Sequence, residues 1–124
     1  MVSGSSWTVE FYESDEEGCP VQAFLDALDK KPRAKVLAMI RLLEEQGPML
    51  PFPYSSQIRG KIRELRAHYG NEQYRVLYFG APRRAFVLLH AFRKHTERVL
   101  ARDSRTAHAR MEQYLRQLEK ERST

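Results

Sequence analysis

The chain has a single cysteine, Cys19, among 124 residues. One cysteine excludes an internal disulfide and leaves no Cys partner for a zinc site. Beside Pro20 it reads as a small packed residue rather than a nucleophile. Long apolar runs are also missing: none approaches the roughly 18–20 residues a membrane-spanning helix needs. The first residues, Met1 to Trp7, show no basic stretch leading into an apolar one, which argues against a secretory signal and for a cytoplasmic protein without a membrane partner. No phosphate-cradling glycine loop, metal-ligand cluster or Ser/His/Asp arrangement stands out, so no metal or cofactor is expected.

Acidic residues are scarce in one region. Residues 57–94 hold nine basic side chains and only two acidic ones, Glu64 and Glu72, for a net charge of +7. Residues 1–56 hold five basic and nine acidic (net −4), and residues 95–124 hold seven and five (net +2). The overall +5 thus understates a strong local positive field. Such a field suits a phosphate backbone or an acidic protein partner, or is a solvated arginine-rich sheet surface.

The length fits one domain spanning residues 1–124, and the composition, 42% hydrophobic and 30% charged, is that of a folded domain. Trp7 to Tyr12 is aromatic and β-branched, as in a strand. Pro20 opens a helix whose stripe is Val21, Phe24, Leu25 and Leu28. A second helix, opening at Pro32 with Val36, Ile40 and Leu43 facing inward, ends at Gly47-Pro48; the pair forms an antiparallel hairpin. Pro48, Pro51 and Pro53 make residues 47–56 an irregular crossing. Strands are expected over Ile58–Ala67, Gln73–Phe79 and Ala85–Phe92, joined by short turns into a meander. A last helix carries Ala107, Met111, Tyr114, Leu115 and Leu118 on one face, with Asp103 or Ser104 as its cap. The fold class is therefore α+β, a β-α-α-β-β-β-α chain. An antiparallel twisted sheet carries a helix hairpin on one face, followed by a C-terminal helix.

Alternation along the strands turns Leu65, Tyr74, Val76 and Tyr78 toward the helix hairpin and leaves Arg66 and Arg75 on the other face. A guanidinium in a sheet needs a partner or a task. Arg66 pairs with Glu64 or Glu72, or else joins Arg75 and Lys94 in an anion site; so few acids favour the second. An unperturbed imidazole titrates at about pH 6.5, which makes His90 and His95 candidates for proton transfer, although a histidine in an apolar strand is commonly a hydrogen-bonded structural residue. Tyr54, Tyr69 and Tyr78 either stack on bases or belong to the core.

Several phrases, in order and with matching spacing over roughly residues 7–121, resemble the phage-derived HigB-like toxins of the RelE/ParE superfamily. They are Val9-Glu10-Phe11-Tyr12, Pro20-Val21-Gln22-Ala23-Phe24-Leu25, Arg33-Ala34-Lys35-Val36, Ile62-Arg63-Glu64-Leu65-Arg66, Tyr74-Arg75-Val76-Leu77-Tyr78 and Leu88 to Thr96. The resemblance implies a RelE-like fold and the toxin of a type II toxin–antitoxin system. It implies a ribosome-dependent mRNA endoribonuclease acting by metal-free 2′-OH attack, silenced by a helix-turn-helix (HigA-like) antitoxin. Its partners would be the ribosome and mRNA. Arg66, Arg75 and Lys94 match basic catalytic positions, with His95 a candidate for proton transfer. Arg59, Lys61, Arg63, Arg93 and Arg98 are the surrounding candidates for RNA binding. The alternatives on this scaffold are a ParE-like inhibitor of DNA gyrase and a non-catalytic RNA- or protein-binding member.

Overall fold

The computed structural model describes residues 6–95 and 101–123. Five strands form one sheet in the order β1-β5-β4-β3-β2: β1 (Thr8–Phe11), β2 (Ser55–Arg59), β3 (Ile62–Tyr69), β4 (Glu72–Ala81) and β5 (Ala85–Lys94). Helices α1 (Pro20–Ala27) and α2 (Lys30–Gln46) form the expected hairpin on one face, and α3 (Ala101–Arg122) packs on the other. The α+β arrangement read from the sequence is the one observed.

Four details differ. The stretch expected as one strand over Ile58–Ala67 is a hairpin, because Gly60 takes a positive φ of 56° and reverses the chain between Arg59 and Ile62. The new strand β2 absorbs the end of the proline-rich crossing, whose start is a short 3-10 turn at Gly47–Met49. Next, β1 lies parallel to β5, so the sheet is mixed rather than wholly antiparallel. Helix α2 opens at Lys30, two residues before Pro32. A proline is tolerated there because first-turn amides have no intrahelical acceptor. Finally, Asp103 does not cap α3; its carboxylate reaches instead to His90 on the sheet.

Two apolar layers sandwich the sheet. On the hairpin side, Leu65, Tyr74, Val76, Tyr78, Phe86 and Leu88 meet Val21, Leu25, Val36, Ile40 and Leu43. Leu65, Tyr74, Val76 and Tyr78 face as the alternation predicts. Arg33 ties the hairpin together by donating from Nε to the Leu25 carbonyl at 2.8 Å and from Nη2 to the Leu28 carbonyl at 2.6 Å. The Leu25 carbonyl, which also accepts from the Leu28 amide, and the Leu28 carbonyl at the end of α1 are thereby tied to α2. On the other side, Ile62, Leu77, Phe79, Val87 and Leu89 meet Ala107 and Met111 of α3. This second layer covers only part of its face. Toward the β3–β4 turn the strands run on beyond α3, and there the face is polar.

Candidate functional site

The β3–β4 hairpin closes through Gly70 and Asn71, which makes Arg66 and Arg75 direct cross-strand partners. Cross-strand partners point to the same side, so both guanidinium groups emerge on the face that α3 leaves open. Glu64, two residues before Arg66, shares that side. It is only 3% exposed, and its carboxylate sits between the two arginines. Arg66 donates to Glu64 Oε2 from Nη2 at 3.0 Å and from Nε at 3.2 Å. Ser56 on β2 donates to the same oxygen and accepts from Arg66 Nη2. The other oxygen, Oε1, lies 3.0 Å from Arg75 Nε but off the line of the N–H. That contact is an ion pair rather than a hydrogen bond.

Arg75 is 5% exposed and is anchored further by Gln73 Oε1 at 2.9 Å and the Tyr74 carbonyl at 3.2 Å. Burial pulls its pKa below the ordinary guanidinium value. Glu64 opposes that shift, and the neighbouring Arg66 charge adds to it. A guanidinium keeps its proton in proteins regardless. Arg66 is more open, with 30% of its side chain exposed, and its bonds run through Nε and Nη2, leaving Nη1 outside them. Its guanidinium also lies 5.0 Å from the ring centre of Phe52. Lys94 pairs with Gln73 across β4 and β5, so it stands on the same face as Arg75. Arg66, Arg75 and a cavity of about 280 Å³ lie together, the remaining walls being Pro53, Tyr54, Ala67, His68 and Gln73.

The other expected residues scatter. His95 is exposed, one residue beyond the end of β5. Arg63 pairs with Tyr78, which places it on the hairpin side, where it donates to Ser55 Oγ. Arg93 also faces that side, ion-paired with Glu72 at 2.9 Å and resting near the Tyr74 ring. Arg59 and Lys61 flank the β2–β3 turn at the opposite end of the sheet. Five residues of strand, roughly 17 Å, separate Lys61 from Arg66. Arg98 lies outside the described residues.

His90 has both ring nitrogens engaged. Nε2 meets Asp103 Oδ1 at 2.8 Å and Nδ1 meets Arg110 Nη1 at 3.3 Å. A guanidinium only donates, so Nδ1 accepts and Nε2 carries the proton. Burial lowers the pKa of His90 below its usual value, outweighing the Asp103 carboxylate that raises it. Of the tyrosines, Tyr78 is core and bonds Ser55, whereas Tyr54 and Tyr69 are exposed. Larger cavities, about 340 and 440 Å³, lie between the Tyr12–Glu17 loop and α3. Their acidic walls, including Glu16 in both, are unsuited to an anion. Among the described residues no group of three or more His, Cys, Asp or Glu side chains is placed to hold a metal ion. No helix among them is long and apolar enough to cross a membrane.

Sequence reasoning treated Glu64 only as a possible ion partner and passed over Gln73, Ser56 and Phe52. The period-2 spacing of Glu64 and Arg66 was a readable signal for the first. Ser56 and Phe52 needed the β2–β3 hairpin, which brings the proline-rich crossing alongside Arg66.

Residues 23–112 match the family described as phage derived protein Gp49-like. Among curated proteins, a Mycobacterium tuberculosis protein bearing the name of a candidate toxin, HigB2, is 34% identical over 79 residues. The match covers 60% of this chain and 39% of that protein, so the chain spans about two fifths of the relative's length at the matched segment. Both findings agree with the resemblance to HigB-like toxins of phage origin.

Proposed function

The chain belongs to the phage-derived Gp49-like family, and on that premise we propose that it is the toxin of a type II toxin–antitoxin pair, a ribosome-dependent endoribonuclease of translated mRNA. The observation that carries this reading is the pairing of Arg66 and Arg75 across β3 and β4, with Lys94 on the same open face. Two guanidinium groups fixed by one buried carboxylate form a preorganised receptor for a phosphate that gains charge as it reacts. A guanidinium fork matches phosphate oxygens and stays charged throughout.

In the proposed reaction the ribose 2′-oxygen attacks the adjacent phosphorus, and its proton passes to a base. The bond from phosphorus to the 5′-oxygen breaks, and that oxygen takes a proton from an acid. The products are a 2′,3′-cyclic phosphate and a 5′-hydroxyl. Arg66 and Arg75 stabilise the phosphorane, and Lys94 and His95 are the candidates for moving protons. His90 is a poor candidate because Asp103 and Arg110 already occupy its nitrogens. A HigA-like helix-turn-helix antitoxin would silence the protein by covering the same basic face, in a cytoplasmic setting.

Brief induction in a bacterial host tests the reading. Growth arrest should follow, a co-expressed antitoxin should relieve it, and primer extension should find new 5′ ends inside translated codons. Arg66→Ala should lower cleavage by about 100-fold or more, the scale of losing one oxyanion donor, with the fold intact by circular dichroism. Arrest with DNA-damage signalling and intact mRNA would replace this reading with gyrase inhibition.

A further inference from the structure

The proline-rich crossing between α2 and β2 places an aromatic ring in solvent beside the paired arginines. Phe52 is 68% exposed, and Tyr54 beside it is 46% exposed. Apolar side chains of this size normally find cover, and the Arg66 guanidinium lies over the Phe52 ring at 5.0 Å. The same arginine lines the cavity formed with Pro53, Tyr54, His68, Gln73 and Arg75. A single loop and a single cation therefore border both an aromatic surface and an anion receptor.

We propose that Phe52 is a stacking platform for an unpaired nucleobase whose neighbouring phosphate is held by Arg66 and Arg75. Resting on the reading of this face as an RNA site, the proposal adds the form in which the RNA is taken: single-stranded, with one base splayed out onto the loop. Every base has a π face, so an exposed ring beside a cation binds single strands with little regard to sequence. Arg66 serves twice, as a phosphate ligand and as the cation that holds the Phe52 ring in place. Charge complementarity favours RNA over an apolar peptide. Arg66, Arg75 and Lys94 share this face, and the nearest carboxylate, Glu64, is buried beneath the arginines.

Fluorescence anisotropy with the full chain and a labelled seven-nucleotide single-stranded RNA tests this. A matched oligomer carrying abasic sites keeps the phosphates and removes the bases. Phe52→Ala should weaken the intact oligomer about tenfold, the scale of one aromatic–base stack, and leave the abasic one unchanged. Phe52→Trp should preserve binding and show quenching of the new indole on addition of the intact oligomer alone. Equal weakening of both oligomers, or of neither, overturns the platform and leaves the toxin reading standing. Wild-type protein that binds the intact RNA no better than Arg66→Ala also overturns the platform, whereas the toxin reading falls only if induction leaves translated mRNA uncut. If Phe52→Ala keeps its RNA affinity but escapes neutralisation by the co-expressed antitoxin, the loop belongs to a protein interface instead.

Discussion

Two clusters of opposite charge lie on the same face of one sheet, and they differ in what they leave unfinished. Beneath α3, Arg110 donates to Glu17, to the Leu89 carbonyl and to His90 Nδ1, and His90 donates its one N–H, on Nε2, to Asp103. Each nitrogen of that guanidinium has an acceptor in the protein. At the open end, Glu64 engages Arg66 and Arg75 together, and Arg66 Nη1 stays outside its bonds on a half-open side chain. The first cluster spends its hydrogen bonds on docking a helix. The second, among the described residues, sets one carboxylate against two guanidinium groups, which is the condition for receiving an anion from outside.

If that contrast is right, the largest effect should come from the carboxylate that organises the open cluster. Glu64→Ala strands a buried guanidinium, and removing one partner of a buried pair costs about 3–5 kcal/mol. Urea denaturation should therefore show a large drop in stability, with toxicity lost alongside. Glu64→Gln keeps an acceptor for Arg66 and should lose less. A Glu64→Ala midpoint equal to that of the wild type would mean that Arg75 finds another partner, and the cluster would not be built around Glu64.

A smaller effect separates stability from chemistry. Arg110→Ala removes charge-assisted bonds to Glu17 and a bond to the Leu89 carbonyl, worth about 1.5–3 kcal/mol together with the desolvated groups left behind. It should lower the urea midpoint while leaving the pattern and rate of mRNA cleavage per folded molecule unchanged. Arg66→Ala should also lower the midpoint, because it takes two hydrogen bonds from the buried Glu64 carboxylate, but unlike Arg110→Ala it should all but abolish cleavage by the molecules that remain folded. Loss of cleavage in a folded Arg110→Ala protein would show that the sealed cluster belongs to the site.

How far each cluster could be read from sequence follows from the range of its contacts. The Arg66–Arg75 pairing was legible because a short turn at Gly70-Asn71 fixes the register of neighbouring strands, and alternation then assigns faces. The same parity rule separates Arg63 from Arg66 and Arg93 from Lys94, so treating these cations as one surface overlooked a constraint already present. The sealed cluster was not legible. Its members Glu17, His90, Asp103 and Arg110 meet only once β5 and α3 are packed, and no local pattern encodes that contact. The same holds for the parallel pairing of β1 with β5, which joins distant segments. The β2–β3 turn failed for a different reason. Arg59-Gly60-Lys61 interrupts a run of strand-like residues with one glycine, and a lone glycine in a strand also signals a bulge.

The smallest effect tests whether the sealed cluster is held by a neutral histidine or by a charged one. Burial lowers the pKa of His90 in the folded protein, while the unfolded chain titrates near the ordinary value of about 6.5. Between those two values the unfolded state binds more protons, so stability rises with pH there. The contribution is complete above the unfolded value and is lost as pH falls below about 6.5, by no more than about 1.4 kcal/mol per pH unit for one proton. Asp103, Arg110 and Glu17 are the charged groups facing the ring, and protonation would put a hydrogen on Nδ1 against the Arg110 donor. The stability difference between wild type and His90→Gln should therefore shrink as pH falls from 7.5 to 5.5, which cancels the contributions of His68, His95 and His108. A difference that grows on acidification would mean that His90 and Asp103 form an ion pair stronger than the burial cost. His90 would then be a charged member of the cluster under α3, and the account of that cluster as closed around a neutral histidine would fail.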